Sequence, residues 1–511
     1  MSAPVVQKDV VQKDVVQKDG ARVVLDALLD AGARAYAGGC LDEADQVYAQ
    51  AEKAAPNDPR APYSRAVIAI RRQRHDEAMR RLRKVVRLDP THAAAHHNLG
   101  FVSQQLGLWP QAQAAYGRAL ALDPGSTTTR LDLAVALAAC GRIAEAVAQY
   151  RDLAADPAHR PDALARLAVL DPGAVTDEEA LALRDLAGAP ELDEARRTGV
   201  LFALGGVLDR RGEVDAAFEA YAAGNKRKAE ALSGAGADPA VAAALNERAA
   251  SFIRGRLTRA FLANHREPGA SKAAPIFIVG FPRSGSTLIE QILASHRSVQ
   301  ALGESSVMAD ILKDRFPYAD RSNGPTHFRD LADAYLAGQR ARGWDGRSRL
   351  VDKTLENYLH VGVIALMFPR AVILHSVRDA ADTGFACFRQ LFVGGNETLY
   401  DLGLIGEEYR RYRAIMTHWD EALPGRVLAV EHEALVAEPP TRIRALVAEA
   451  CGLDWDPACL RFDRSARGVT TASGAQVRQP IFKTSIGRWR PYARHLGPLL
   501  DTLGPYAPDE T

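Results

Sequence analysis

Neither sign of charge dominates this sequence of 511 residues, whose formal net charge is +1. That balance argues against a dedicated binder of nucleic acid or of a membrane surface. No stretch approaches about eighteen consecutive apolar residues, and the first residues lack a basic segment followed by a hydrophobic core. We therefore predict a cytoplasmic protein with neither nucleic acid nor a membrane as partner.

Cysteine is also scarce. The five cysteines are odd in number and scattered, and no two of them have the C-x-x-C spacing of a redox or zinc site. This cysteine usage indicates a protein of a reducing compartment and argues against a fold held together by disulfides. The chain is too long for one ordinary domain, and its 47% hydrophobic and 25% charged residues are typical of soluble globular proteins.

The first half of the chain repeats itself every 34 residues. Small and bulky residues share this interval, and prolines follow it closely: Ala44, Ala78, Ala112 and Ala146; Tyr48, Leu82, Tyr116 and Tyr150; Pro56, Pro90 and Pro124. Small residues let two helices approach, large ones fill the gap between them, and proline ends the second helix. The pattern resembles the tetratricopeptide repeat, a helix–turn–helix unit of this period.

The repeats set the predicted domain boundaries. Residues 1–20, which contain VVQKD three times, form a predicted flexible or weakly helical tail, and residues 21–232 form the repeat array. Such an array either docks a protein or peptide or serves as a helical spacer. A linker and connecting helix over 233–270 lead to a second domain at 271–511.

In that second domain short apolar runs alternate with longer amphipathic stretches. The runs are "IFIVG", "RLVDK", "AVILHSVRD" and "RVLAVEHE", and they predict a parallel sheet covered by helices on both faces. The predicted fold class is therefore an all-α repeat solenoid followed by an α/β domain. Cations follow three of the strands, namely Arg283, Lys353 and Arg378. Ligands of such sheets bind beyond the carboxyl ends of the strands, so we expect an anion site there.

The first of these strands leads into "GFPRSGST", at residues 280–287. Its glycine spacing matches a nucleotide-binding phosphate loop, but Ser286 stands where that loop needs lysine, and the cation is Arg283. The carboxylate that best fits a metal ligand, Asp352, is followed directly by Lys353. These residues therefore favour an anion that binds without a metal ion, and they argue against a nucleoside triphosphate. A kinase or NTPase remains an alternative.

"GFPRSGSTLIEQIL" resembles the 5′-phosphosulfate loop of sulfotransferases, and "VRDAADTGFACF" resembles their 3′-phosphate-binding segment. The resemblance extends to tyrosylprotein sulfotransferases and to bacterial fusions with tetratricopeptide repeats. It implies a P-loop-like domain that uses 3′-phosphoadenosine 5′-phosphosulfate (PAPS) as donor. The donor-binding residues that it implies are Arg283, Ser284, Gly285, Ser286, Thr287, Arg378, Ser473, Arg478 and Arg488.

The resemblance also implies catalytic roles for Glu304, Lys353 and Arg283. Glu304 would be the base for an acceptor hydroxyl, with His296 as a rival, and Lys353 would act near the bridging oxygen of the leaving group.

This chain departs from the family at two places. It has Ala386 where a serine is usual, with Thr383 as a candidate substitute, and His432 where a tyrosine often contacts the donor.

The acceptor implied by the resemblance is a tyrosine hydroxyl of a protein or peptide, docked by the repeat array. Hydroxyls of carbohydrates, lipids or small molecules stay open as acceptors. A third alternative is a repeat-based adaptor whose nucleotide-binding domain is inactive.

Overall fold

The computed structural model describes residues 6–265, 272–313, 327–394, 396–464, 481 and 485–508. The chain divides into two compact units, Met1–Gln149 and Tyr150–Thr511. Within the described ranges, every helix is too short or too polar to cross a membrane.

Consecutive helices make up the first unit. Their bounds are α1 Val6–Ala37, α2 Leu41–Ala54, α3 Arg60–Arg71, α4 His75–Leu88, α5 Ala93–Gln105, α6 Trp109–Leu122, α7 Thr127–Ala139 and α8 Ile143–Ala154, in which the division between the units falls. Helix α1 begins at Val6, so most of the VVQKD repeats lie in a helix.

A close contact between glycine and tyrosine recurs in this architecture. A Cβ atom at Gly100 of α5 would lie 2.6 Å from the ring of Tyr116 in α6, and the same contact joins Gly32 to Tyr48. In each pair the tyrosine follows the glycine by sixteen residues. The missing side chain lets the two helices of one repeat approach, as the sequence pattern predicts.

The second unit begins with further helices. Their bounds are α9 Arg160–Leu170, α10 Asp177–Gly188, α11 Glu194–Arg211, α12 Val214–Gly234, α13 Pro239–Arg256 and α14 Arg259–Asn264. Helices α11 and α12 form a hairpin around Gly212, whose φ of 78° suits glycine. Gly205 of α11 meets Tyr221 of α12 in the same close contact as in the first unit. The exact linker boundaries at 233–270 stay a prediction.

A five-stranded parallel sheet follows, in the order β2-β3-β1-β4-β5. The strands are β1 Ile276–Gly280, β2 Val299–Ala301, β3 Arg349–Asp352, β4 Val372–Val377 and β5 Val427–Glu431. The all-α array followed by a parallel sheet confirms the predicted fold class. The three-residue β2 was not predicted, because so short a strand leaves no alternation to detect.

Helices surround these strands in the chain. Their bounds are α15 Ser286–Ala294, α16 Val307–Leu312, α17 His327–Ala341, α18 Val361–Met367, α19 Ala380–Phe388, α20 Leu402–Ala422, α21 His432–Ala437, α22 Pro439–Arg444 and α23 Gly497–Leu503. Alternate residues of β1 face different helices. Ile276 and Ile278 share a core cluster with Ile292 of α15. Phe277 lies against Tyr335 of α17, with ring centroids 5.7 Å apart.

The strand order places β1 at the centre, between β3 and β4. The chain moves from β1 to β2 on one side of the sheet, returns to β3 and crosses to β4 on the other side, so the connections after β1 and β4 leave in opposite directions. A crevice at the carboxyl ends of the strands forms where the direction reverses. The loop after β1 lies at that place.

Replacing Gly100 by alanine tests the glycine–tyrosine contact. We expect Gly100→Ala to destabilise the first unit by about 1–3 kcal/mol, because the new methyl group forces Tyr116 out of its place. Gly117→Ala in α6 is the control, since no atom lies within 4 Å of its Cβ position. This control should be neutral or stabilise the helix by up to about 1 kcal/mol. Urea unfolding followed by circular dichroism measures both, and equal stability of the two variants would contradict the contact.

Candidate anion-binding and transfer site

The loop after β1 has the backbone of an anion-binding turn. Arg283 has a φ of 68° and Gly285 a φ of 100°, so two residues of the turn are left-handed. Gly285 is the N-cap of α15, and Ser286 and Thr287 are buried in the first turn of this helix. Neither hydroxyl residue therefore occupies the capping position. The positive end of the helix faces the loop, as a bound anion requires.

Some groups of the loop are already engaged within the protein. The Ser284 N–H donates to the Phe281 carbonyl over 3.3 Å, and the Leu288 N–H donates to the Gly285 carbonyl over 3.0 Å. The Ser284 hydroxyl is buried and has no hydrogen-bond partner among the described residues. A buried hydroxyl left in this state is costly, so it marks a place for a polar ligand atom.

Arg378, directly after β4, connects the loop to residues 471–495, which we call the C-terminal segment. Its Nη1 donates to the Arg283 carbonyl over 3.2 Å, and its Nη2 donates to the Ser485 carbonyl over 2.6 Å. Its Nε is buried without a partner among the described residues. Desolvation lowers the pKa of Arg378. The structure therefore places Arg378 beside the loop, as the strand order predicts.

The loop arginine is strongly affected by its surroundings. Burial lowers the pKa of Arg283 to about 10, and the charges of Arg389 and Arg378 contribute in the same direction. Arg283 stays charged at neutral pH. Positive charges that act on one another in this way favour the binding of an anion nearby.

Glu304 and Lys353 form an ion pair. Lys353 Nζ donates to Glu304 Oε1, and the Lys353 N–H donates to the Gly303 carbonyl over 3.0 Å. The lysine side chain is 2% exposed and the glutamate side chain 62% exposed. The two residues follow β2 and β3, so a buried cation and an accessible carboxylate lie at the carboxyl end of the sheet.

Buried hydrogen bonds fix the backbone of this pair. Asp352 Oδ2 accepts from the Tyr335 hydroxyl over 2.6 Å, and its Oδ1 accepts from the Thr354 hydroxyl over 2.6 Å. Thr354 Oγ1 in turn accepts from the Ser305 N–H over 2.8 Å, next to Glu304. Burial raises the pKa of Asp352. Both of its oxygens are engaged, so Asp352 organises the site and is not free to bind a metal. Among the described residues, no cluster of three or more His, Cys, Asp or Glu side chains could hold one.

The rival base, His296, has a structural environment. It is buried, and its Nδ1 accepts from the Ser298 N–H over 3.1 Å. This assigns the proton to Nε2, which donates to the Asp454 carbonyl over 2.7 Å. Both ring nitrogens of His296 therefore take part in hydrogen bonds within the protein.

Comparisons with known proteins match two parts of the chain to families. A family model described as "Sulfotransferase family" matches residues 275–457, and one described as "Tetratricopeptide repeat" matches residues 93–126. The chain carries tetratricopeptide repeats and a sulfotransferase-family domain.

Several relatives contain similar sequence. An uncharacterized protein of Aquifex aeolicus is 30% identical over 67% of this chain and 46% of its own length. Protein-tyrosine sulfotransferase 2 of Gallus gallus is 25% identical over 48% of this chain and 73% of its own. This chain thus spans about half the length of the Aquifex relative.

A solved sulfotransferase domain from the curacin biosynthetic pathway is 17% identical over 43% of this chain and 92% of its own, with a TM-score of 0.33. A TM-score this low gives no support for a common fold on its own.

The C-terminal segment of the sulfotransferase domain is anchored close to Arg378. Asp382 accepts the Gly487 N–H over 2.7 Å and the Trp489 N–H over 3.1 Å. Of the three donor contacts predicted in this segment, Ser473 and Arg478 lie outside the described residues. Arg488 is described, and its Nη2 donates to Asp209 over 2.6 Å.

Two charged residues of this region were missed. Arg378 precedes α19 and Arg389 follows it, and their spacing of eleven residues, about three helical turns, could have indicated that both lie on the same side of this helix. Asp209 of α11 accepts from Arg389 Nη1 over 2.6 Å and from Arg488. These contacts span 180 and 279 residues of sequence, so no local pattern reveals Asp209.

The departures from the family pattern leave unusual polar groups near the loop. Ala386 is buried, and the buried Thr383 hydroxyl has no partner among the described residues. Burial raises the pKa of the Cys387 thiol to about 12, and the thiol donates to the Pro282 carbonyl over 3.3 Å. Cys387 therefore supports the loop as a neutral donor.

His432 lies directly against the loop. A Cβ atom at Gly285 would be 2.6 Å from its Nδ1, and its Nε2 lies 3.3 Å from the Ser485 hydroxyl. Burial, with a smaller contribution from the charge of Arg378, lowers the pKa of His432 to about 4. The imidazole is thus neutral at physiological pH.

The depressed pKa of His432 predicts part of the acid sensitivity of the protein. Unfolding returns the pKa to its usual value near 6.5, so the unfolded state binds the proton first, and stability is lost as pH falls from about 6.5 to 4. We expect His432→Gln to reduce this loss by about 1–2 kcal/mol. Urea midpoints at about pH 7 and pH 4.5 for wild type and variant give the difference. His159→Gln, at a 40% exposed side chain, is the control, and equal pH slopes in wild type and His432→Gln would contradict the assignment.

Proposed function

We propose that this protein is a PAPS-dependent sulfotransferase that transfers a sulfuryl group to an acceptor hydroxyl, with tyrosine of a protein or peptide as the acceptor. The observation that carries the proposal is the convergence of Arg378 on the Arg283 carbonyl of the loop after the central strand. Two guanidinium groups and a helix N-terminus meet there without the lysine of a nucleotide hydrolase. That combination suits a donor with two separate anionic groups.

The donor fits the residues in the following way. The loop residues Arg283, Ser284, Gly285, Ser286 and Thr287 bind the 5′-phosphosulfate, partly through backbone N–H groups and the buried Ser284 hydroxyl. Arg378 binds the 3′-phosphate with its unpartnered Nε–H. Ser473, Arg478 and Arg488 are the donor contacts proposed for the C-terminal segment.

The transfer needs a group that accepts the proton of the acceptor hydroxyl and groups that donate hydrogen bonds to the leaving oxygen. Glu304 takes the proton of the acceptor hydroxyl as the new S–O bond forms on that oxygen. The S–O bond to the donor phosphate breaks at the same time, and Lys353 and Arg283 stabilise the charge that develops on the leaving oxygen. By analogy with phosphoryl transfer, such a loose in-line reaction depends mainly on positioning and charge. The Glu304–Lys353 ion pair brings the two side chains together, which supports a joint role on one substrate.

The acceptor proposal rests on the relatives and on the array. Relatives in Gallus gallus and in Danio rerio carry the name protein-tyrosine sulfotransferase, and the latter is 25% identical over 42% of this chain. A tetratricopeptide array provides a surface of the kind that holds a peptide. Carbohydrate, lipid and small-molecule hydroxyls use the same donor chemistry, and acceptor trials separate them from tyrosine.

Turnover of PAPS tests the proposal. We expect the purified protein to release 3′,5′-ADP from PAPS in the presence of tyrosine-containing peptides, with sulfate recovered on the peptide by mass spectrometry. Because the proposed reaction uses no metal, EDTA should leave the rate unchanged. ATP with magnesium serves as the comparison. Metal-dependent ATP turnover without PAPS turnover would replace the proposal by a kinase or NTPase, and binding of peptide without any turnover would favour the adaptor.

Substitutions of the ion pair test the catalytic roles. We expect Glu304→Gln and Lys353→Ala each to lower kcat by about 100-fold or more, because each removes a group that acts on the transferring atoms. The KM for PAPS should change much less in Glu304→Gln, whose carboxylate does not bind the donor. Asp310→Asn is a control of equal charge change, since Asp310 is exposed and bonded to Ser306. Unchanged turnover in both ion-pair variants would contradict the roles even in an active sulfotransferase.

A further inference from the structure

Asp209 lies near the end of α11, in the hairpin of α11 and α12, and connects this hairpin to the proposed donor site. Its Oδ2 accepts from Arg389 Nη1 and from Arg488 Nη2, each over 2.6 Å. Its Oδ1 accepts from the Tyr492 hydroxyl over 2.7 Å. A single carboxylate of the helical region therefore holds one side chain at the end of α19 and two in the C-terminal segment.

Two of the charged side chains in this contact are largely buried, while that of Arg488 is 39% exposed. The side chains of Asp209 and Arg389 are 11% and 15% exposed. Burying an ion pair costs desolvation that its attraction only partly offsets, so stability alone does not explain the arrangement. Two guanidinium groups that share one oxygen atom repel each other, and they remain side by side only while the carboxylate lies between them.

Arg389, which Asp209 binds, contributes positive charge to the anion site. The charge of Arg389 lowers the pKa of Arg283 in the loop and that of Arg378 after β4. Arg389 Nε is buried without a partner among the described residues, so a donor group of this arginine is still available. Arg488 was predicted from the sequence to contact the donor.

The C-terminal segment is attached at neighbouring points. Arg378 binds the Ser485 carbonyl, and Asp382 binds the N–H groups of Gly487 and Trp489. These contacts fix the backbone around residue 488, while Asp209 fixes the Arg488 side chain itself.

We propose that Asp209 is a positioning residue for donor binding. It orients Arg389 and Arg488 so that their guanidinium groups face the anion site. This inference rests on the proposed function and extends it, because it makes the α11–α12 hairpin part of the donor site. Asp209 touches the arginines and acts through them.

Charge alone predicts the opposite effect from positioning. Removing a carboxylate beside an anion site makes the site more positive, which would tighten the binding of an anion. Removing a group that orients two arginines frees their side chains and lets them separate, which weakens the binding. The sign of the change in affinity therefore distinguishes the two.

The experiment measures binding of adenosine 3′,5′-bisphosphate to the full chain by calorimetry, well below the unfolding temperature. We expect Asp209→Asn to raise Kd about tenfold, since a charge-assisted contact of each of two arginines is lost. Asp209→Glu should recover part of the affinity, because it restores the charge. A merely structural role would lower Tm without changing Kd at this temperature.

Asp215→Asn is the matched control. Asp215 lies in the same hairpin and binds the same C-terminal segment, through Arg494 and through His495 Nε2 over 2.6 Å. Its side chain is 57% exposed, and the residues that it binds lie beyond Arg488 and Tyr492. We expect less than about a twofold change in Kd, because an exposed ion pair contributes little.

The outcomes separate this inference from the proposed function. If wild type binds adenosine 3′,5′-bisphosphate and Asp209→Asn binds it equally or more tightly, the positioning role is overturned while the donor proposal stands. An equal loss of affinity in Asp209→Asn and Asp215→Asn also overturns it, because the hairpin would then act only as a support. If wild type does not bind this nucleotide, the proposed function itself fails, and the donor role of Asp209 fails with it.

Discussion

The close approach of several guanidinium groups is the constraint on which the rest of the site depends. Desolvation and the charges of Arg389 and Arg378 lower the pKa of Arg283 to about 10, so the protein bears a cost to keep these groups together. Backbone carbonyls accept from Arg378, and the Asp209 carboxylate accepts from Arg389. The sheet contributes the geometry, because β1 and β4 are parallel neighbours and end side by side.

The residues of the proposed transfer lie on the other side of the central strand, and a different kind of interaction holds them in place. Lys353 and Glu304 follow β3 and β2, and the buried Asp352 fixes both through Thr354 and Ser305. Each group of the proposed reaction thus lies within a few residues of the end of a strand, and Glu304 is tied to β3 through its ion pair with Lys353. Rigid elements of this kind hold reacting groups in place, which matters most where positioning supplies much of the rate.

Much of this arrangement was predictable from local sequence. Four of the five strands, the loop after β1 and the cations after β1, β3 and β4 follow from short apolar runs and from glycine spacing. The period of the alanines, bulky residues and prolines predicted the paired helices, and the structure added the contact between Gly100 and Tyr116. The hydrogen bonds of Asp352 and the contacts of Asp209 were not predictable, because they join residues that only the tertiary fold brings together.

The contacts of the α11–α12 hairpin bear on how such a protein can be divided. A cut at the predicted linker after residue 232 would remove Asp209 and Asp215, which bind side chains of the C-terminal segment. It would also remove Asn225, whose side chain donates to the Phe388 carbonyl over 2.8 Å at the end of α19. The α11–α12 hairpin is therefore not an exchangeable module. The predicted boundary of the array groups it with the repeats, whereas its polar contacts connect it to the sulfotransferase-family domain. Recombination that exchanges the repeats would have to leave this hairpin with the sulfotransferase-family domain.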